Sequence, residues 1–208
     1  MVDNLTIFVN LSPMTTGPTA EERLLDATLE VAAVHGISRL SVGDVAKRAG
    51  LSRQTLYKHF ASRDELVSRT VLREAGRMVE LVIAAAALHD DPVASLEAAV
   101  LETLHLVRDH PLLDRLIATE PEALLPMLID GQGAVLGAIR AISEQIIEER
   151  VPEATGAEAH SAADLLSRML ISYAVRSPDR PPEEVARFLS TAIVAGLTVA
   201  PAPAHRTH

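Results

Sequence analysis

The chain has 208 residues, no cysteine, no tryptophan and a formal net charge of −9. That length can bury a real core as one domain or as two small ones, and the lack of cysteine excludes disulfides and thiolate metal sites. A composition rich in Ala and Leu and poor in aromatics favours helices over strands.

Residues 1–19 are expected to form a loose arm. Asp3 stands where a signal peptide needs Lys or Arg, and Asn10 and Pro13 break the short apolar run. Met14 is a second candidate start. No segment offers about 20 apolar residues free of charge, so no membrane span is expected. With no cysteine as well, the chain is expected in the cytoplasm.

Helical periodicity begins at Ala20 and predicts a first helix to His35, stopped by Gly36. Ser41 is placed to cap a second helix, with Asp44 in capping-box position, and Gly50 ends it. Ser52 caps a short third helix through Phe60. Ser62, with Glu65 three residues on, opens a fourth that meets no breaker before about Leu88. Beyond Pro92 further helices are predicted over Val93–Asp109, Pro111–Thr119, Glu122–Ile129, Gly131–Arg150, Ala159–Arg176 and Pro182–Val199. Residues 201–208 are expected to be disordered.

Charge is distributed unevenly along this pattern. Arg39, Lys47, Arg48, Arg53, Lys58 and Arg63 face only Asp44, a local charge of +5, whereas residues 71–208 carry 11 basic and 20 acidic side chains. The island coincides with two short helices joined by "AGLS", the small turn that a helix-turn-helix requires. Val45, Ala46, Leu51, Leu56 and Phe60 are spaced to face inward. The outward face then holds Arg53, Gln54, Thr55, Tyr57, Lys58 and His59. Arg and Gln suit base edges and Thr a thymine methyl. Tyr57, Lys58 and the helix start at Ser52 suit phosphates, and Ser41 is a further candidate DNA contact.

The stretch "SVGDVAKRAGLSRQTLYKHFASRDEL" resembles the N-terminal signature of the TetR family of bacterial repressors. The likeness covers roughly residues 21–72, a quarter of the chain. Arg63 stands where the family usually has Lys, so the resemblance implies a DNA-phosphate contact there, and Gly43 stands where most members carry a larger residue. The resemblance implies an all-α homodimer that releases double-stranded operator DNA when a small-molecule effector binds. It also implies a helix-turn-helix domain over residues 20–66 and a ligand-binding and dimerisation domain over residues 67–200.

Two apolar stripes in the last helices are candidates for the dimer seam. One includes Leu165, Leu166, Met169 and Tyr173, the other Phe188, Leu189, Ala192 and Ile193. The final helix is apolar nearly all round, which suggests a partner on its second face. Between Val93 and Arg150 mostly apolar helices are interrupted by polar residues including His110. Of these Glu102, His105, Arg108, Arg115 and Arg140 are candidate effector anchors. The effector is expected to be lipophilic or amphipathic, with release passed through the segment broken by Pro111, Pro121 and Pro126.

The alternative is a metal-binding or enzymatic helical protein built on Glu102 and His105, three residues apart. A dimetal bundle site needs two such pairs and two further Glu, and only one pair occurs. His160 and Asp164 make a second weak pair. No phosphate loop, nucleophile elbow or H-E-x-x-H motif is present, and neither cofactor, metal nor enzymatic activity is expected.

Overall fold

The computed structural model describes residues 17–119, 134–176 and 179–198. Those residues form nine α-helices and no strand. They are α1 (Ala20–His35), α2 (Val42–Arg48), α3 (Arg53–His59), α4 (Arg63–Ala87), α5 (Pro92–Asp109), α6 (Pro111–Thr119), α7 (Ala134–Arg150), α8 (Gly156–Val175) and α9 (Pro182–Thr198). The helix expected over Glu122–Ile129 lies outside the described residues.

Helix starts follow capping chemistry. Thr19 accepts a hydrogen bond from the Glu22 N–H while Glu22 accepts from the Thr19 N–H, which fixes α1 at Ala20. The same reciprocal pair, Thr155 and Glu158, starts α8 at Gly156, three residues before the expected Ala159. At Ser62 only half of the expected box forms. Its Oγ accepts from the Glu65 N–H, but the Glu65 carboxylate accepts from the Ala61 N–H instead. The Ser41 side chain caps nothing, so α2 starts without the expected box. Gly36 and Gly50 have φ of 84° and 66°, where a side chain would be strained.

Helix α4, 25 residues long, is the spine. Its first half packs with α1, α2 and α3 around Leu24, Val45, Leu56, Phe60 and Leu66, all fully buried. Its second half packs with α5, α7, α8 and α9 around Val100, Ile147, Ala163, Leu166 and Ala186. The boundary expected at residues 66/67 therefore falls inside a continuous helix. The first core also takes Leu112 and Leu116 from α6, Leu136 from α7 and Ile171 from α8. Buried hydroxyls are satisfied locally: Thr28 donates to the Leu24 carbonyl, and Ser95 of α5 to the Ala86 carbonyl of α4.

A candidate nucleic-acid interface and an apolar cavity

The α2–α3 turn is held from three sides. Gly50 takes the left-handed conformation, the Leu51 N–H donates to the Ala46 carbonyl at 2.9 Å, and Arg23 of α1 donates to the Ala49 carbonyl. Ser52 then caps α3, accepting from the Thr55 N–H at 3.0 Å. Buried Leu56 and Phe60 anchor the inner side of α3. Arg53, Gln54, Tyr57, Lys58 and His59 are exposed, Tyr57 at 55%. Thr55 is half-buried and its hydroxyl sits 2.9 Å from that of Ser52. Ser41 is half-buried at the start of α2, with its hydroxyl uncommitted to the helix.

Two arginines make contacts within the chain that their positions do not announce. Arg63 donates from Nε to the Leu40 carbonyl at 3.0 Å and from Nη2 to the Ile37 carbonyl, so it ties α4 to the α1–α2 loop. A guanidinium that has two carbonyl partners within the protein is a tether before it is a phosphate ligand. Arg53 lies back over Gly43, whose missing side chain leaves room for it.

Below this headpiece lies a cavity of about 170 Å³ walled by α4, α5, α6, α7 and α8. Along α4 its wall runs from Thr70 to Val82, about 18 Å at the α-helical rise. The lining is aliphatic apart from Thr70, Glu74, Thr103, His110 and Ser143. The Thr70 and Thr103 hydroxyls donate to the Leu66 and Ala99 carbonyls at 2.8 Å, so neither has a free hydrogen. Glu74 and His110 are largely buried, with side chains 12% and 14% exposed and 4.0 Å between Oε2 and Nε2. Arg73 donates to Oε1 of Glu74 at 3.2 Å and also meets Asp26 of α1 at 2.8 Å, while Arg77 lies 3.5 Å from Oε2. Burial pushes the His110 imidazole below the usual histidine range; Glu74 opposes that shift and Arg77 reinforces it.

None of the five expected effector anchors lines this cavity. Glu102, His105, Arg115 and Arg140 are half-buried, and Arg108 is exposed. On α5 the turn that faces the cavity presents Thr103, Leu106 and Val107, which leaves Glu102 and His105 on the flanks. The polar wall belongs instead to His110 and to Glu74. Glu74, between Arg73 and Arg77, reads in sequence as part of a solvated ion-pair face, so only its burial reveals it. Among the described residues no three His, Asp or Glu side chains are grouped to hold a metal ion. His160 faces Glu144 at 3.1 Å, and Asp164 pairs with Arg168 at 2.8 Å.

The last two helices expose apolar side chains on one side of the protomer. Leu165, Met169 and Val175 of α8 are exposed, as are Ala192 and Phe188 of α9, the latter at 69%. Leu166 and Ile193 point the other way and are buried in the protomer's own core, against which Tyr173 and Leu189 are half-buried. Of the two expected stripes, Leu165, Met169, Phe188 and Ala192 thus face outward, while Leu166 and Ile193 are covered by the protomer itself.

A helix-turn-helix headpiece joined by one long helix to a hollow helical body defines a two-part regulator fold. Family comparison matches residues 24–70 to the bacterial regulatory proteins of the tetR family and residues 91–195 to the C-terminal domain of the bacterial tetracyclin repressor. The second match alone spans half of the chain, and the protein belongs to this family. An uncharacterized HTH-type transcriptional regulator of Mycobacterium tuberculosis is 34% identical over 94 residues, 45% of this chain and 46% of that protein. The match thus spans about half the length of that relative. The HTH-type transcriptional regulator AlkX of Mycobacterium tuberculosis is 26% identical over 168 residues, 78% of this chain and 76% of that one. A similar fold occurs in the TetR family repressor AlkX from Dietzia sp., implicated in biodegradation of n-alkanes. The TM-score is 0.65 at 23% identity, covering 86% of this chain and 95% of that one.

Proposed function

We infer that the protein is a ligand-responsive DNA-binding transcriptional regulator, a homodimeric repressor released from double-stranded operator DNA by a small apolar or amphipathic effector. The exposed face of α3, with Gln54, Tyr57, Lys58 and His59 free of the core, is the DNA-reading surface. Residues 20–66 serve as the DNA-binding domain and residues 67–200 as the ligand-binding and dimerisation domain, with α4 passing through both. Catalysis has no part in this scheme, and the protein acts in the cytoplasm. Among the described residues no helix is long and apolar enough to cross a membrane.

One observation carries the inference. Leu112 and Leu116 of α6 line the cavity and also pack into the headpiece core with α1. A molecule that fills the cavity must press on the side chains that hold α1. In a dimer this tilts two recognition helices away from the spacing of successive major grooves, about 34 Å. An aliphatic wall favours an aliphatic effector, stabilised at roughly 25 cal/mol per Å² buried. The n-alkane context of the Dietzia repressor supports the same ligand class.

The test is a gel shift with random-sequence DNA at low salt, since phosphate-driven binding needs no known operator. Selection of a preferred site follows, and then a screen for release by apolar compounds. No retardation at low salt refutes the DNA-binding role. Release by sugars or nucleotides alone refutes the apolar effector.

A further inference from the structure

The cavity has one polar end, and its geometry restricts what can occupy it. The Leu113 N–H points at Nδ1 of His110 at 3.4 Å, so Nδ1 accepts and the proton of the neutral ring sits on Nε2. That Nε2–H faces Oε2 of Glu74 across 4.0 Å, too far for a direct hydrogen bond. A donor and an acceptor, both largely buried, thus stand side by side on the cavity wall, where one oxygen set beside both, roughly 2.8 Å from each, bridges them.

We propose that this pair forms a hydroxyl-selective subsite, in which the terminal hydroxyl of an aliphatic alcohol accepts from His110 and donates to Glu74. It rests on the apolar-effector assignment above and adds the functional group. A hydroxyl is both donor and acceptor, so one atom satisfies both walls. An alkane makes neither bond. An ester accepts from His110 but offers Glu74 nothing. A carboxylate only accepts, and it sets a second negative charge beside Glu74. The nearby cations do not reverse this, because Arg73 is shared with Asp26 and Arg77, 63% exposed, is screened by solvent.

The experiment titrates the purified full chain with decanol, methyl decanoate, decanoate and decane, by displacement of a solvatochromic dye. Decanol is expected to bind about tenfold or more tightly than the other three, the worth of a hydrogen bond to a charged group. Glu74→Gln should shift the preference from alcohol towards carboxylate, and His110→Phe should bring alcohol and alkane together. Melting curves confirm that each variant is folded, and the ranking in the unmodified protein needs no variant. Ester or carboxylate binding as tightly as alcohol, or a ranking unchanged in Glu74→Gln, overturns the subsite alone. Failure of all four chains to bind overturns the apolar effector as well.

Discussion

Arg53 rests on Gly43: a Cβ built on that glycine would meet the Arg53 Cζ at 2.8 Å and its Nε at 2.9 Å. The absence of a side chain on α2 is therefore what seats the first arginine of α3. Because the clash falls on the far end of a flexible side chain, it is cheap to relieve. Gly43→Ala should leave the fold intact and raise stability by about 0.5–1 kcal/mol through helix propensity. It should also dislodge the guanidinium and change operator affinity. Urea unfolding and a gel shift measure the two effects, and unchanged affinity in a stabilised variant would mean the seat has no bearing on DNA.

Lys58 and Arg63 share a charge but not a task. Lys58 is exposed on α3 and makes no ion pair among the described residues, whereas Arg63 is bound to two carbonyls of the α1–α2 loop. Lys58→Ala should reduce the salt slope of DNA binding by about 1 with little loss of stability. Arg63→Ala should cost roughly 1.5–3 kcal/mol of stability, the usual worth of hydrogen bonds from a charged donor. Equal stabilities of the two variants in urea would contradict the tether.

Phe188 and Ile193, five residues apart on α9, face opposite ways. Phe188→Glu should yield a folded monomer, because the charge enters only the proposed dimer seam. Ile193→Glu should unfold the protomer itself, at a cost of several kcal/mol for a charge in an apolar core. Sedimentation velocity with circular dichroism separates these outcomes. A tight Phe188→Glu dimer would place the seam elsewhere.

Stability should fall on mild acidification because of His110. Its folded-state pKa lies below the ordinary 6.5 owing first to burial, so below that pH the unfolded chain binds the extra proton. The stabilisation is complete above about pH 6.5 and is lost as pH drops towards the folded value. His110→Phe should flatten this part of the stability–pH curve relative to the unmodified protein. Since the phenyl ring also removes the Leu113 contact, the slope and not the absolute stability is the readout. Parallel curves would exclude His110 from the acid response.

What the sequence determined by itself was local. Caps, glycine stops and 3.6-residue periodicity depend on neighbours within a few positions, so α1 is found at Ala20–His35 and the helix-turn-helix with Gly50 at its turn. Family resemblance was legible there for the same reason, since a DNA-reading helix constrains short-range spacing. The cavity, in contrast, exists only where five helices meet. Which side of α5 faces it, and that Glu74 of α4 is buried beside His110, depends on helix rotation and packing partners far apart in the chain. Polar residues such as Glu102, His105 and Arg140 therefore looked suitable for an effector, while Glu74 looked solvated. That Leu165 is exposed while Leu166 is covered has the same origin. Both residues are apolar, and only the packing of α8 on α5 and α7 decides which is covered by the protomer.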